Sequence, residues 1–493
     1  MLFNSINFLI FFPVVTTLFF LAPQKARWLV LLAASCFFYM AFMPAFILIL
    51  AFTILVDYVA GIYIERSVEK RRLIFLIASI VANVGVLFVF KYFNFFNANL
   101  ASLADFLHWQ YSLEALSIVL PIGLSFHTFQ SLSYTIEVYR GRQKAERHLG
   151  ILGTYVMFYP QLVAGPIERP QNLLHQFRER YAFELRRVGA GLSLMLFGFF
   201  KKIVIADNLA PFVNQAYASP AEYSGIALAI ATVFFAFQIY CDFSGYSDIA
   251  VGSAKVMGFT LMQNFRHPYF ARSVGEFWQR WHISLSTWFR DYVYIPLGGN
   301  RVSSLITNRN ILITFFLSGV WHGANWTYVL WGLLNGMMLI VERFIYHSGS
   351  FLHSGTLRLR SFIGAPIQVL TTFTLICFAW IYFRASTLAD AQLIAGKILS
   401  DWYSVGEKFV GASFLQTQVF FGRSHYDFYW CIVGIAILLV ADFVQERRLL
   451  PTIFSPQRPV TAAILAWFVV STAMLLIIVL GRTDSSQFIY FQF

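Results

Sequence analysis

Charge is what this chain of 493 residues has least of: only 12% are Asp, Glu, Lys or Arg. With 58% hydrophobic and 18% aromatic residues, a soluble globule could not hide its apolar surface, so the solvent is lipid. Cysteine is nearly absent as well. Cys36, Cys241, Cys377 and Cys431 lie scattered through apolar segments, which excludes a disulfide scaffold and makes them small buried hydrophobes. The histidines lack ligand spacing, so no metal site is expected. No internal repeat, low-complexity linker or separate soluble domain breaks the chain, and neither a P-loop nor a GxSxG elbow offers a rival site. Residues 1–493 read as a single integral-membrane domain.

What is present is a succession of apolar runs. A hydrocarbon core of roughly 30 Å needs about 20 apolar residues per spanning helix. Candidate spans fall near 5–23, 28–43, 45–64, 73–95, 116–138, 185–206, 225–241, 311–341, 363–383, 428–446 and 459–481. The first 23 residues have no basic n-region and no small-residue cleavage site, so they are expected to be a mature transmembrane helix. The net charge of +12 collects in short loops at 65–72, 140–147, 169–187, 266–301 and 445–448. That is the positive-inside pattern and places those loops in the cytoplasm; nucleic acid is not expected as a partner. Loops 97–115, 208–224 and 385–427 are assigned outside. Segments 149–165 and 311–341 break the alternation, having basic residues on both sides, and are expected to dip in and return or to be broken. The expected fold is an all-α polytopic membrane protein with about 10–12 transmembrane helices, plus re-entrant or interfacial helices around a central tunnel.

Two stretches could carry chemistry. LSGVWHGANWTYVLWG (317–332) lies in a run from 311 to 341 without Asp, Glu, Lys or Arg, yet it holds His322. An ionisable group at membrane depth is a functional candidate because its desolvation must be offset; a core histidine bonded to a carbonyl is the alternative. Trp321, Trp326 and Trp331 would wall it, Gly319 and Gly323 permit close backbone approach, and Asn325 offers polar partners. The second stretch, EFWQRWHISLSTWFRDYVYIPLGGNR (276–301), read as a helix, puts Trp278, Trp281, Leu285, Trp288 and Tyr292 on one face with His282 at its edge. An interfacial amphipathic helix accounts for most of these residues, but not for His282. Arg280, Arg290 and Arg301 could form a cationic cytoplasmic rim for a nucleotide's phosphates, or each could be an ordinary positive-inside residue.

WHISLSTWFRDYVYIPLGGNR followed by LSGVWHGANWT strongly resembles the membrane-bound O-acyltransferase family, in its bacterial alginate O-acetyltransferase-like branch. FYPQLVAGPIERP (158–170), YCDFSGYSDIAVG (240–252) and the closing SSQFIYFQF look like that branch too, so the resemblance covers essentially the whole chain. It implies a helical bundle with a tunnel joining the two membrane faces. It also implies acetyl-CoA as a donor substrate rather than a tightly bound cofactor, with Arg280, Arg290, Arg301, Trp281, Trp321 and Asn325 as candidate contacts. His322 matches the family histidine and His282 the second polar position of the site. The implied activity is O-acetylation of an extracytoplasmic polysaccharide (alginate-like, cellulose or peptidoglycan) from the bacterial inner membrane, through an SGNH hydrolase-like acetyltransferase partner. The C-terminal tail, 482–493, is expected outside. In its FIYFQF motif, Tyr490 matches a tyrosine that would receive an acyl group as a relay; an aromatic interfacial anchor is the plainer reading.

Other residues are expected to be structural. Asp242 and Asp248 orient helices, Glu168 and Arg169 pair with each other, Lys201 and Lys202 snorkel, and His127 belongs to the core. Three competing functions stay open: a proton-coupled secondary transporter, a lipid-directed acyltransferase of the same fold, and direct transfer to a sugar hydroxyl.

Overall fold

The computed structural model describes residues 1–163, 165–349, 360–401, 412–447, 459–482 and 488–489. Among these residues the secondary structure is helical, without a strand. The helices are α1 (Ile6–Leu21), α2 (Arg27–Met40), α3 (Ile47–Arg66), α4 (Glu69–Leu87), α5 (Phe93–Phe106), α6 (Leu124–Tyr139), α7 (Leu149–Met157) and α8 (Pro170–Leu173). They continue as α9 (Leu185–Phe199), α10 (Asp207–Ala218), α11 (Gly225–Met257), α12 (Val274–Arg280) and α13 (Ile283–Phe289). Next come α14 (Ser304–His322), α15 (Trp326–Gly349), α16 (Arg360–Arg384), α17 (Leu388–Ser400), α18 (His425–Glu446) and α19 (Pro459–Leu480).

Among the described residues, seven helical stretches are long and apolar enough to cross a membrane: Pro44–Arg66, Glu69–Phe106, Leu185–Ala218, Gly225–Met257, Trp326–Ile345, Gly364–Arg384 and His425–Glu446. The chain is therefore a multi-pass membrane protein, with fewer long spans among its described residues than the apolar runs suggested. Two of the expected spans are short helices. α2 has 14 residues and α6 has 16, about 21 and 24 Å of helix, and α6 is buried along nearly all its length. Its hydrophobicity serves the protein interior, not lipid. α7 has nine residues, about 14 Å, so the segment from 149 does not cross. The predicted outer loop 208–224 is also revised, since α9 continues through a π-helical turn (Phe200–Ala206) into α10.

The chain divides into two compact units. The first is Met1–Met195 with Tyr246–Gln263, and the second is Leu196–Gly245 with Asn264–Phe493. In the first unit, α3, α4 and α6 pack together. Asp57 on α3 accepts hydrogen bonds from Ser79 Oγ (2.6 Å) and Asn83 Nδ2 (2.9 Å) of α4, and Ser79 also donates to Thr135 of α6 (3.1 Å). Phe3, Phe8, Phe38 and Tyr159 form an aromatic core. His127 is buried edge-on to Tyr39 at 5.9 Å, a core histidine as expected. Glu168 is buried in the loop before α8, where its carboxylate accepts from Asn172 Nδ2 and the Met262 amide, both at 2.5 Å. Burial pushes its pKa up to about 7. In the second unit, α14 and α15 form a close antiparallel hairpin, and α11, α12 and α16 supply the aromatic packing behind it.

Candidate functional site

His322 is the last residue of α14. The run from 311 to 341, expected to be re-entrant or broken because it is too short for two full helices and long for one, holds the inner parts of two full ones. α14 starts earlier, through Arg309 and Asn310, and α15 continues past Glu342 and Arg343. The turn between them is set by Asn325, whose Oδ1 accepts the Thr327 amide (3.0 Å) and caps α15 while its Nδ2 donates to the Ser386 carbonyl (3.1 Å). Close approach of the hairpin needs Gly319: a Cβ there would lie 2.3 Å from the Tyr328 carbonyl oxygen. His322 is 3% exposed. Its ring meets Trp321 and Trp331 edge-on, both at 4.9 Å, and Phe383 at 5.2 Å. Trp331 in turn stacks on Trp380 at 5.8 Å. Trp326, expected as a third wall, faces outward at 51% exposed.

The stretch 276–301 is not one helix. It breaks at His282, which adopts the left-handed region (φ 43°, ψ 54°) between α12 and α13. A non-glycine residue there costs energy unless its surroundings fix it. Asn264 does so: its carbonyl accepts the Ile283 amide (2.9 Å), and its Oδ1 accepts the Ser284 hydroxyl (2.8 Å) and amide (3.2 Å). The break turns His282 inward, to 1% exposed, edge-on to Phe243 at 4.6 Å and 6.1 Å from Trp321. Burial pushes its pKa down to about 3, so the ring is neutral. Trp321 thus touches both histidines, which stand 40 positions apart in sequence.

The expected donor contacts separate. Trp281 is a core residue packed on Phe277, Phe265 and Trp380. Arg280 is buried, its Nη2 bonded to Glu276 (2.6 Å) and Glu446 (2.9 Å), and those carboxylates outweigh desolvation and raise its pKa. Arg290 and Arg301 are exposed, the former beside Asp291 at 2.8 Å.

Sequence reasoning missed a polar cluster. Lys202, expected to snorkel, is 1% exposed, its ammonium shared by Asp207 (2.8 Å) and Asp242 (2.7 Å). Lys201 is buried too, over the Phe197 ring. Asp242 Oδ2 accepts the backbone amide of Ile489 at 2.7 Å. Phe488 and Ile489 are both buried, and Phe488 packs on Phe243 (5.9 Å), a ring that also meets His282 at 4.6 Å. A lysine pair inside an apolar run, with Asp207 five residues on, was the available signal; Asp242 lies 40 positions away. Tyr490 lies outside the described residues, and Asp248 is half-buried in the other unit.

The arrangement is a water-poor aromatic cage holding two imidazoles. The sequence model of the membrane-bound O-acyltransferase family matches residues 151–384, a span that contains both. A probable alginate O-acetylase AlgI of Pseudomonas putida is 35% identical over the whole of both chains. A peptidoglycan O-acetyltransferase of Helicobacter pylori is 34% identical over 79% of this chain and 78% of its own. A teichoic acid D-alanyltransferase of Streptococcus thermophilus is 29% identical over 48% of this chain and 64% of its own. The chain belongs to the membrane-bound O-acyltransferase family. It is an O-acetyltransferase-type enzyme, which removes the transporter reading.

Proposed function

We propose that this enzyme takes acetyl groups from cytoplasmic acetyl-CoA and delivers them across the bacterial inner membrane for O-acetylation of an extracytoplasmic polysaccharide. Relatives named as alginate and peptidoglycan O-acetyltransferases support that acceptor class. The observation that carries the reading is the grouping of His282, Trp321 and His322 in a dry cage, with Phe488 of the C-terminal tail against the same Phe243 that touches His282.

In this reading His322 removes the proton from the Tyr490 hydroxyl as the phenol oxygen attacks the thioester carbonyl carbon. The tetrahedral intermediate collapses, the C–S bond breaks, and the CoA sulfur leaves and takes up the proton from His322. Neutral His282 orients the thioester or donates to the developing oxyanion. The cage keeps water from hydrolysing the donor. The aryl ester then passes its acetyl group to a serine of an SGNH hydrolase-like partner outside the membrane. Phenolate, the conjugate base of an acid with pKa about 10, leaves more readily than an alkoxide. Arg290 and Arg301 are the exposed cations suited to the nucleotide's phosphates.

Peptide mass spectrometry after incubation with acetyl-CoA tests the relay. An acetyl adduct on Tyr490 is expected in the wild type and is lost in His322→Ala and Tyr490→Phe. CoA release with polysaccharide present, but with no adduct at Tyr490 and undiminished in Tyr490→Phe, overturns the relay in favour of direct transfer.

A further inference from the structure

Helix α11 carries the side chain that holds the tail. Asp242 and Phe243 are neighbours on this helix, and they engage neighbouring residues of the tail: Asp242 takes the Ile489 amide and Phe243 the Phe488 ring. Lys202 fixes the carboxylate by bonding its other oxygen, Oδ1, which leaves Oδ2 directed at the amide. A second tie lies close in sequence to Asp207, the other partner of Lys202. Asn208 Nδ2 donates to the Leu480 carbonyl (2.9 Å) at the end of α19. The chain is thus gripped where it leaves its last helix, and again nine residues later.

We propose that the Lys202–Asp242 pair is a built seat for the protein's own C-terminal tail, with Asp242 as the positioning residue that sets its register. Two features separate a seat from incidental packing. The contact is made to a main-chain N–H, so it fixes where the backbone lies whatever side chain follows. It is also charge-assisted and shielded from water, the setting in which one hydrogen bond counts most. A slip of one residue would offer Asp242 a different amide and take the Phe488 ring off Phe243, so the two contacts define one register together. The residue after Ile489 is Tyr490. The catalytic meaning of the seat therefore rests on the relay reading above, while the seat itself rests only on residues 202, 242, 243, 488 and 489.

The test removes one N–H from the full-length protein. Nonsense suppression with the α-hydroxy acid analogue of isoleucine at position 489 replaces the amide by an ester and keeps the side chain. Asp242→Asn is made in parallel. Both are digested with carboxypeptidase in detergent and followed by intact mass. Wild-type digestion is expected to stall before Tyr490 is released, and both altered proteins should release Tyr490, whose own bond to residue 489 is an ordinary amide in all three, at least tenfold faster. Digestion of the ester protein at the wild-type rate overturns the seat, even where Asp242→Asn fails to fold. Acyl transfer is measured on the same samples. Faster digestion with slower transfer supports the seat together with its catalytic meaning. Faster digestion with unchanged transfer leaves the seat standing and refutes its catalytic meaning.

Discussion

Trp331 meets His322 edge-on, with ring centroids 4.9 Å apart and planes at 87°. An imidazole packed this way among Trp321, Trp331 and Phe383 has little room to turn, which is what a base aimed at one hydroxyl needs. Trp331→Leu should therefore lower acyl transfer roughly 10- to 100-fold through misorientation. Trp331→Phe, which keeps a ring, should lose less. Thiol release from acetyl-CoA measures both, with thermal unfolding in detergent as the control for folding.

The hairpin that presents His322 depends on Gly319. A Cβ at this position meets main-chain atoms, the Tyr328 carbonyl oxygen at 2.3 Å, so no side-chain rotation relieves it. Gly319→Ala should cost about 1–3 kcal/mol as the helices are forced apart. Activity should fall further than stability alone accounts for, because His322 moves with α14. Gly364→Ala is a suitable control, since nothing beyond its own stretch of helix lies within 4 Å of its Cβ position. A thermal shift equal for the two variants would count against the prediction.

His282 gives a pH dependence of stability. Its folded pKa of about 3 lies below the ordinary value of 6.5, so below pH 6.5 the unfolded chain takes up a proton that the folded protein refuses. Its contribution is present above pH 6.5 and is lost as pH falls towards 3, at up to about 1.4 kcal/mol per unit. Glu168 runs the other way. Its pKa is raised to about 7 from 4.5, so its contribution is present below pH 4.5 and is lost as pH rises through 7. Between pH 5 and 6.5 the two effects oppose each other, so His282→Asn should make the unfolding midpoint fall more steeply with rising pH, and Glu168→Gln should make it rise more steeply. Slopes unchanged by either substitution would refute the assignment.

The arginines should divide by role. Arg280→Ala strands Glu276 and Glu446, each about a third exposed. The expected cost is about 1–2 kcal/mol of stability, less than for a fully buried pair, with little change in KM. Arg290→Glu and Arg301→Glu should instead raise KM for acetyl-CoA in a salt-dependent manner and leave the unfolding midpoint in place. Steady-state kinetics at two ionic strengths, beside thermal unfolding, separates the two outcomes.

Sequence alone determined the solvent, the helical class and the burial of His322, because these properties are local. Apolar run length reports lipid, and an imidazole in an uncharged run declares the cost of its burial where it stands. Even so, run length could not tell α6, buried in protein, from a helix facing lipid. Tertiary structure decided what depends on distant partners. Only packing could break residues 276–301 at His282, because the break is held by Asn264. Only packing could turn Lys202 from a snorkelling side chain into the mate of Asp207 and Asp242, or bring Ile489 to Asp242 across 247 positions of sequence. A buried charge is stable only beside its partner, and sequence does not say which distant residue that partner will be.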